Sequence, residues 1–390
     1  MYIPSLNVAR NMWQLQHNYK MNTNYIPANV PGQQCMNMNK NTYKEYGLSW
    51  WKDDCFYKYP YLLVSAAYGK DIRNFREKYE IDKDVLFVGD SGGFQAVTQD
   101  KDLDALEVLR WMEDNCDVGF ILDRPPYEDD GTSFFGNIVD FDKHMETTRQ
   151  NTELMTTKKR NKHLKLYGVI QGNTYPRINQ WYNTMKDFEV DGWSLAPKPS
   201  SDIFNIALYG IYAIQNLDTP IHLLAVSGVQ TMIIVAYLSK FYNHKITYDS
   251  SSYASGCIRK EYLLPYDISL KMSFGTYLAK SHTVKEVPCT CPVCSKIDIQ
   301  DLWKEGSLSQ ALISLHNLYW YIMYSKTLGA IVEDDELFSA FIANRCNKKT
   351  LKAIEFVDYY MEVGDVEKAV KKYQPYMSNQ TEHIQRRFRI

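Results

Sequence analysis

Short apolar runs alternate with amphipathic segments along most of the chain between residues 59 and 255. Seven of these runs have the length and composition of buried strands: YLLVSAAY, DVLFVGD, VGFILD, LKLYGVIQG, DGWSLAP, IHLLAVSG and KITYDSS. The segments between them, such as DLDALEVLRWMEDN and YPRINQWYNTMKDF, repeat apolar residues at the spacing of a helix face. Regular alternation of strands and helices predicts a parallel sheet.

A closed (β/α)8 barrel of the α/β class accommodates this pattern best, with an eighth strand expected in the N-terminal segment. A doubly wound open sheet is the alternative. The alternation breaks after residue 256, and SQALISLHNLYWYIMYSKTLGAI then predicts a long helix, followed by two or three more. We therefore predict an irregular segment 1–58, a barrel 59–256, a separate subdomain with the last barrel helix 257–331, and a helical tail 332–390.

Polar side chains follow four of the predicted strands. Asp90 comes after VLFVG, Asp123 after VGFIL, Gln171 after LYGVI and Asp249 after KITY. In a parallel barrel the carboxyl ends of all strands face one mouth, where active sites lie, so these side chains should converge. Each acid by itself is better explained as a helix cap or turn residue, but three carboxylates at equivalent positions favour a site.

The stretch DSGGFQ, which begins at Asp90, adds features that suit a planar ligand. Gly92 and Gly93 allow the backbone to approach a ligand closely or to adopt a positive φ angle. Phe94 offers a flat face on which a base could stack. The alternative is a glycine-rich turn beside a core phenylalanine.

Three of the eight cysteines are bunched in CTCPVCSK, as Cys289, Cys291 and Cys294. His316 follows within the apolar helix ALISLHNLYWYIM, and three thiolates with one imidazole form a closed tetrahedral zinc site of the structural kind. A histidine alone in such a helix is more often a core residue, but the cysteine spacing predicts a metal.

Composition and motifs narrow the function further. The net charge of −2 neither indicates nor excludes a nucleic-acid partner, because a local basic face is enough for one. Scattered free thiols suggest a reducing cytoplasm, and no run is long enough for a membrane span. The sequence has no P-loop, dinucleotide fingerprint, serine elbow or HExxH, which argues against NTPases, dehydrogenases, α/β-hydrolases and zinc proteases.

Several of these motifs together resemble the tRNA-guanine transglycosylase superfamily: DSGGFQ, YGVIQG, YDSSSYA, the C-x-C-x-x-C cluster and HNLYWY. The resemblance implies a (β/α)8 barrel with an inserted zinc subdomain. It implies Asp249 as the nucleophile, Asp90 as the general acid/base and Phe94 as the ring that stacks on the base. It also implies a substrate-binding role for Ser91, Gly92, Gly93, Asp123, Gln171 and Gly172. The zinc ligands that it implies are Cys289, Cys291, Cys294 and His316.

Departures from the tRNA enzymes favour a branch that acts on DNA. LDRPPY lacks the Asp-Glu-Cys run of the bacterial enzymes, and SLAPKP stands where they have a Gly-Gly pair, so that Pro197 offers no N–H. The tail also leaves no clear room for RNA-binding modules. These features resemble the DpdA-type DNA-guanine transglycosylases, which exchange guanine in DNA for a 7-deazaguanine such as 7-cyano-7-deazaguanine.

That branch implies a guanine that is flipped out or single-stranded, an ATPase partner protein, and the cytoplasm of a bacterial or phage-infected cell. The basic run from Lys158 to Lys162 is typical of a solvated helix end or loop, and if a basic segment meets phosphates instead, Arg259 and Lys260 are better placed for it. A tRNA-guanine transglycosylase is the alternative. A non-catalytic binding subunit on the same fold is a further one, although it would have no need for both Asp90 and Asp249.

Overall fold

A closed barrel of eight parallel strands, joined in sequence order, forms the body of the protein. The computed structural model describes residues 23–29, 46–99, 101–127, 138–198, 200–226, 228–265, 267–274, 289–304 and 306–377. The barrel strands are β1 (Thr23–Asn29), β2 (Tyr61–Ser65), β3 (Leu86–Asp90), β4 (Val118–Phe120), β5 (Lys165–Ile170), β6 (Gly192–Leu195), β7 (Ile221–Leu223) and β8 (Ile246–Ser250). The predicted (β/α)8 barrel is therefore confirmed, and the open-sheet alternative is wrong.

Strand β1 closes the barrel, and it comes from the N-terminal segment 1–58. It pairs with β8, where Ile26 lies opposite Asp249, and with β2, where Ala28 lies opposite Leu63. The eighth strand thus lies where the sequence allowed one, and the barrel begins before residue 59. The rest of this segment up to residue 45 lies outside the described residues.

Helices follow the strands and cover the outside of the barrel. Up to β8 they are α1 (Ala66–Gly69), α2 (Phe75–Lys78), α3 (Gly93–Thr98), α4 (Ala105–Asn115), α5 (Phe141–Lys158), α6 (Tyr175–Met185), α7 (Ile203–Asn216) and α8 (Val229–Leu238). Local chemistry sets several of the starts: the Asp104 carboxylate caps α4 by accepting from Leu106 N and Glu107 N, both at 2.9 Å. The strands are buried on both faces, as parallel strands covered by helices must be.

An insertion follows β8 before the barrel's last helix. It contains α9 (Ser252–Ser255), the antiparallel pair β9 (Glu261–Leu264) and β10 (Asp267–Ser273), the cysteine cluster and α10 (Ile299–Trp303). The long helix α11 (Ser307–Ile331) then packs against β1. Three further helices complete the described chain: α12 (Asp335–Arg345), α13 (Lys348–Val363) and α14 (Val366–Tyr373).

Helix α13 packs on α7, so the tail is joined to the side of the barrel. Its ends carry the expected signals, with Asn347 accepting from Thr350 N at the start and Gly364 in the left-handed conformation after the end. No helix in the described part of the chain is long and apolar enough to cross a membrane.

Candidate active site and metal centre

The polar residues predicted at the strand ends lie at one mouth of the barrel. Asp90 is the last residue of β3, Asp249 lies in β8, Gln171 directly follows β5, and Asp123 comes three residues after β4. The Gln171 amide donates to Asp123 Oδ2 at 2.5 Å. The negative charges of Asp249 and Asp123 each interact with that of Asp90. The structure therefore brings these four side chains together.

Asp90 is held in a setting that favours its protonated form. Burial raises the pKa of Asp90 from 3.8 to about 6, and the neighbouring charge of Asp249 acts in the same direction. The Ser65 hydroxyl, which lies opposite Asp90 in the strand register, and the Gly92 N–H oppose this shift. A carboxyl group with a pKa near 6 can both donate and accept a proton at neutral pH.

Asp123 and Gln171 form a buried pair facing the same space. Burial raises the pKa of Asp123 to about 6, while the hydrogen bond from Gln171 lowers it. Gln171 is 1% exposed, and its Oε1 is a buried acceptor without a hydrogen-bond partner in the described part of the chain. An unpaired buried acceptor is costly, so this oxygen is suited to a donor on a ligand.

Asp249 is held by two donors that converge on a single oxygen. His222 Nε2 lies 3.1 Å from Asp249 Oδ1, and the Ala225 N–H donates to the same oxygen at 2.9 Å. His222 Nδ1 lies 2.8 Å from the Thr247 hydroxyl, which also reaches the Ile221 carbonyl at 3.2 Å. Because a carboxylate oxygen only accepts, Nε2 carries the proton. Oδ2 of Asp249 is then the oxygen available to attack a substrate.

Neither His222 nor Ala225 was predicted as a site residue. His222 lies in the apolar run IHLLAVSG, whose pattern predicts only a buried strand. Ala225 adopts φ 60, a left-handed conformation that is costly for a residue with a side chain. This conformation accompanies the hydrogen bond from its N–H to Asp249.

Gly92 and Gly93 lie where the chain has no room for a side chain. A Cβ on Gly93 would lie 2.2 Å from Asp123 Oδ1, and Gly92, at φ 88, would bring one to 2.7 Å from the Ala67 Cβ. A side chain at either position would therefore collide with Asp123 or Ala67, and Gly92 has the positive φ angle expected from the sequence. The substrate-binding role of both glycines stays a prediction.

Other predicted positions lie around the same site. Ser91 is 1% exposed and so lies beneath the surface of the site. The Gly172 carbonyl accepts from the Tyr209 hydroxyl at 2.7 Å. Phe94 is partly buried on α3, and Lys198 Nζ lies 4.5 Å from the centre of its ring.

Cys289, Cys291, Cys294 and His316 form the predicted metal cluster, with one ligand atom of each within 4.8 Å of the others. His316 Nε2 donates to the Leu263 carbonyl at 2.8 Å, which leaves Nδ1 facing the thiols. Nδ1 lies 3.2 Å from Cys294 Sγ and 3.5 Å from Cys291 Sγ. A tetrahedral zinc ion would set such nitrogen and sulfur atoms about 3.5 Å apart, so the donor set fits this metal.

The expectation that Lys260 meets phosphates is wrong, whereas that for the exposed Arg259 stays a prediction. Lys260 is 4% exposed, and its ammonium donates to the carbonyls of Trp303 and Lys304, at 3.2 and 2.7 Å. Arg259 pairs with Glu261 beside it. Lys260 thus links the segment before β9 to the end of α10, both within the inserted subdomain.

The fold and the site together define an α/β barrel with three carboxylates and an amide at its mouth and a separate Cys3His group able to hold a structural metal. No family model matches the chain. It is nevertheless similar to archaeal proteins named tRNA-guanine(15) transglycosylase. It is 26% identical to that of Methanocaldococcus jannaschii over 316 residues, 75% of this chain and 45% of the relative.

The relative from Methanococcus aeolicus is 26% identical over 333 residues, 78% of this chain and 46% of the relative. That from Methanosarcina mazei is 25% identical over 269 residues, 66% and 49% of the two chains. The chain thus spans about half the length of these curated relatives. The similarities support the tRNA-guanine transglycosylase superfamily, and the names of these three relatives specify tRNA and not DNA.

Proposed function

We propose that this chain exchanges a guanine base in a nucleic acid for a 7-deazaguanine base, through a covalent ester between Asp249 and the sugar. The observation that carries the proposal is the pairing of two unlike carboxyl groups at the barrel mouth. Asp249 has one oxygen fixed by two donors, and Asp90 beside it has a pKa near 6. One acid for attack and one for proton transfer is what a double displacement needs.

The first displacement removes guanine. Oδ2 of Asp249 attacks the anomeric carbon, a C–O bond forms, and the bond from that carbon to guanine N9 breaks. The electron pair of the broken bond goes to the purine, which takes a proton from Asp90. Burial keeps a useful fraction of Asp90 protonated at neutral pH, since its pKa is about 6.

The second displacement reverses these steps with the incoming base. Its N9 loses a proton to Asp90 and attacks the same carbon from the opposite side to Asp249. The carboxylate then leaves with its electron pair, and the donors on Oδ1 stabilise the returning charge. Two inversions give overall retention, and neither step consumes a cofactor.

Asp123 and Gln171 are proposed to hold the polar edge of the base. The buried Gln171 Oε1 can accept from the amino group of guanine, and Asp123 can accept from ring N–H groups. Phe94, nearby on α3, is proposed to stack on the base. A 7-deazaguanine keeps this edge unchanged, which explains how one pocket could serve both bases.

For the polymer, the relatives favour tRNA over the DNA predicted from the sequence, because their names specify tRNA. We therefore propose tRNA as the first polymer to test and retain DNA as the second. The ATPase partner remains a prediction tied to the DNA branch, and the cytoplasmic location remains a prediction from the scattered thiols. In either polymer the target guanine must leave its stack to reach the mouth.

We also propose that the Cys3His cluster binds zinc. The thiolates of Cys289, Cys291 and Cys294 and the imidazole of His316 would hold it, with no ligand position left for substrate. The ion would stabilise the inserted subdomain when bound.

The decisive experiment compares the wild-type chain with Asp249→Asn. We expect base exchange to fall by at least about a thousandfold, because removing a covalent nucleophile has effects of that size. A sugar-linked protein adduct, trapped by denaturation in the absence of free base, should disappear as well. Asp218→Asn is the matched control, because Asp218 is an exposed carboxylate that pairs only with His244 at the surface among the described residues.

The same assay distinguishes the polymers and the binding-subunit alternative. Labelled guanine is supplied with bulk tRNA, duplex DNA and single-stranded DNA in parallel. Label in DNA alone would favour the DNA branch, and label in tRNA would support the relatives' substrate. Unchanged exchange in Asp249→Asn would overturn the nucleophile assignment, and polymer binding without exchange or adduct would favour the binding subunit.

A further inference from the structure

A cleft of about 600 Å³ lies between the barrel and the tail helix α14. On the barrel side it is lined by the starts of α6 and α7, and on the tail side by α14 and the turn after it. Sites for small organic ligands have volumes of about 300–1,000 Å³, so the cleft is large enough for one. None of the residues proposed for base exchange lines it.

The cleft lies next to the proposed base pocket. Helices α6 and α7 begin at the carboxyl ends of β5 and β6, which face the barrel mouth. Asn173, which lines the cleft, is two positions after Gln171, and two residues span at most about 7 Å. Asn205, which also lines it, donates to the Lys198 carbonyl at 2.7 Å, and Lys198 interacts with the charge of Asp123.

The lining of the cleft suits a nucleobase. Phe204, Leu208 and Val370 supply an apolar part, and Tyr175 supplies a half-buried aromatic ring. A base packs on such a surface without regard to its identity, because every base has a flat π-face.

Polar groups in the same lining can meet the edge of a base. In the described part of the chain, Oδ1 of Asn205 accepts no hydrogen bond, and the Gln374 amide makes none. Amide groups both donate and accept, and the exposed Glu367 can accept from a base amino group. The cleft therefore combines an apolar surface with groups that hydrogen-bond a planar heterocycle.

Two cations lie where a phosphate could meet them. Lys371 lines the tail side of the cleft, and Arg177 on α6 donates from Nη1 to Asn173 Oδ1 on the barrel side at 3.0 Å. Neither cation pairs with a carboxylate among the residues that the structure describes. Contacts of this kind to phosphates fix the position of a nucleic-acid strand on a protein.

We propose that this cleft holds the nucleotide next to the exchanged guanine, with its base on the apolar part and its phosphate near Lys371 and Arg177. This inference rests on the proposed base exchange and adds a second site for the same polymer. When the target guanine leaves its stack, its neighbour loses a stacking partner. The cleft supplies a new one, which holds the strand while the base is exchanged.

The first test changes the substrate. Short oligonucleotides of the polymer that accepts label are made with one target guanine, and the base of the nucleotide on one side or the other is removed. With the wild-type chain, we expect one of these two abasic oligonucleotides to raise KM about tenfold, because stacking of a single base has effects of that size. The value of kcat should change little, since the intact target still reaches Asp249.

Variants of α14 assign this effect to the cleft. Lys371→Glu should raise KM for the intact oligonucleotide about tenfold and leave KM for the free base unchanged. The abasic change should then add less than about threefold, because both changes remove the same interaction. Val370→Trp, which fills the cleft without a change of charge, should act in the same way.

Lys368→Glu is the matched control. Lys368 is exposed on the same helix and lies outside the cleft, and its substitution changes the net charge by the same amount. We expect this variant to keep the wild-type KM for the intact oligonucleotide and the full effect of the abasic change.

Fluorescence anisotropy of a labelled oligonucleotide gives a readout that does not depend on turnover. An unchanged KM with both abasic oligonucleotides, or equal effects of Lys371→Glu and Lys368→Glu, would overturn the inference and leave base exchange standing. Binding that Lys371→Glu weakens, without exchange by the wild-type chain, would overturn the proposed exchange and keep the cleft as a nucleotide site. Equal binding by all variants without any exchange would overturn both.

Discussion

At the scale of single residues, the proposed chemistry depends on the proton carried by Asp90. Its pKa of about 6 means that the protonated fraction falls as the pH rises through that value. Release of guanine requires that proton. In single-turnover reactions without incoming base, we therefore expect guanine release to be constant below about pH 5 and to fall about tenfold per unit above pH 7.

Variants of the site residues test whether this pH dependence comes from Asp90. Asp90→Asn should release guanine slowly and at a rate that does not depend on pH, because its side chain has no proton to transfer. Asp123→Asn should weaken base binding and keep the pH dependence of guanine release. The Lys198 ammonium interacts with the negative charge of Asp90, so Lys198→Met should raise the pKa of Asp90 and move the fall in rate to a higher pH. Guanine release that rises through pH 6 would contradict Asp90 as the proton donor.

The hydrogen bond between His222 and Asp249 leads to a further prediction. His222→Ala should lower kcat for exchange about 10- to 100-fold, because hydrogen bonds to charged groups contribute about 1.5–3 kcal/mol. KM for the base should change little, since His222 contacts Asp249 and not the proposed base edges. Steady-state kinetics with varied base separate the two parameters.

His222→Gln supplies the conservative comparison, because its amide can still donate to Asp249. We expect it to recover much of the lost kcat. His244→Ala removes a histidine that pairs with Asp218 at the surface and should have no effect. A loss in KM alone, or equal losses in His222→Ala and His222→Gln, would argue against a role in positioning Asp249.

The site residues predicted from the sequence differ from those that were missed in where they lie relative to the apolar runs. Asp90 and Asp249 were recognisable because a charge at the end of an apolar run has few structural reasons to be there. His222 lies within a run, where a neutral histidine fits a core as well as a site. Lys198 follows a proline in a segment that the sequence predicts as a loop, and it approaches the ring of Phe94, which lies more than 100 positions earlier in the chain.

At the scale of elements, the hydrophobic pattern predicted the strands and helices whose own residues favour that structure. The seven runs between 59 and 255 contain strands β2 to β8, and the long apolar segment near the end is helix α11. Strand β1 could not be predicted from its own residues, TNYIPAN, because asparagine and proline are poor strand formers. It is a strand because β8 and β2 supply its hydrogen bonds.

At the scale of the whole molecule, the metal cluster is joined to the active site through packed elements. His316 lies on α11, and the same helix carries Tyr321, whose ring stacks on Tyr25 of β1 at 5.6 Å. The Tyr248 hydroxyl of β8 donates to Ser325 Oγ of α11 at 2.6 Å. Loss of the metal should therefore loosen the seam between β1 and β8, in which Asp249 lies.

If the cluster holds zinc as proposed, its removal by a chelator, or Cys294→Ser, should lower Tm by about 10 °C or more, because structural zinc contributes many kcal/mol to folding. Amide hydrogen exchange should rise in α11, β1 and β8, and exchange activity should fall with it. Cys346→Ser, at a free thiol in the tail, should keep one zinc per chain and the wild-type Tm. If metal is lost while β1 and β8 stay protected, the cluster stabilises only its own subdomain, because α11 then holds the barrel seam without it.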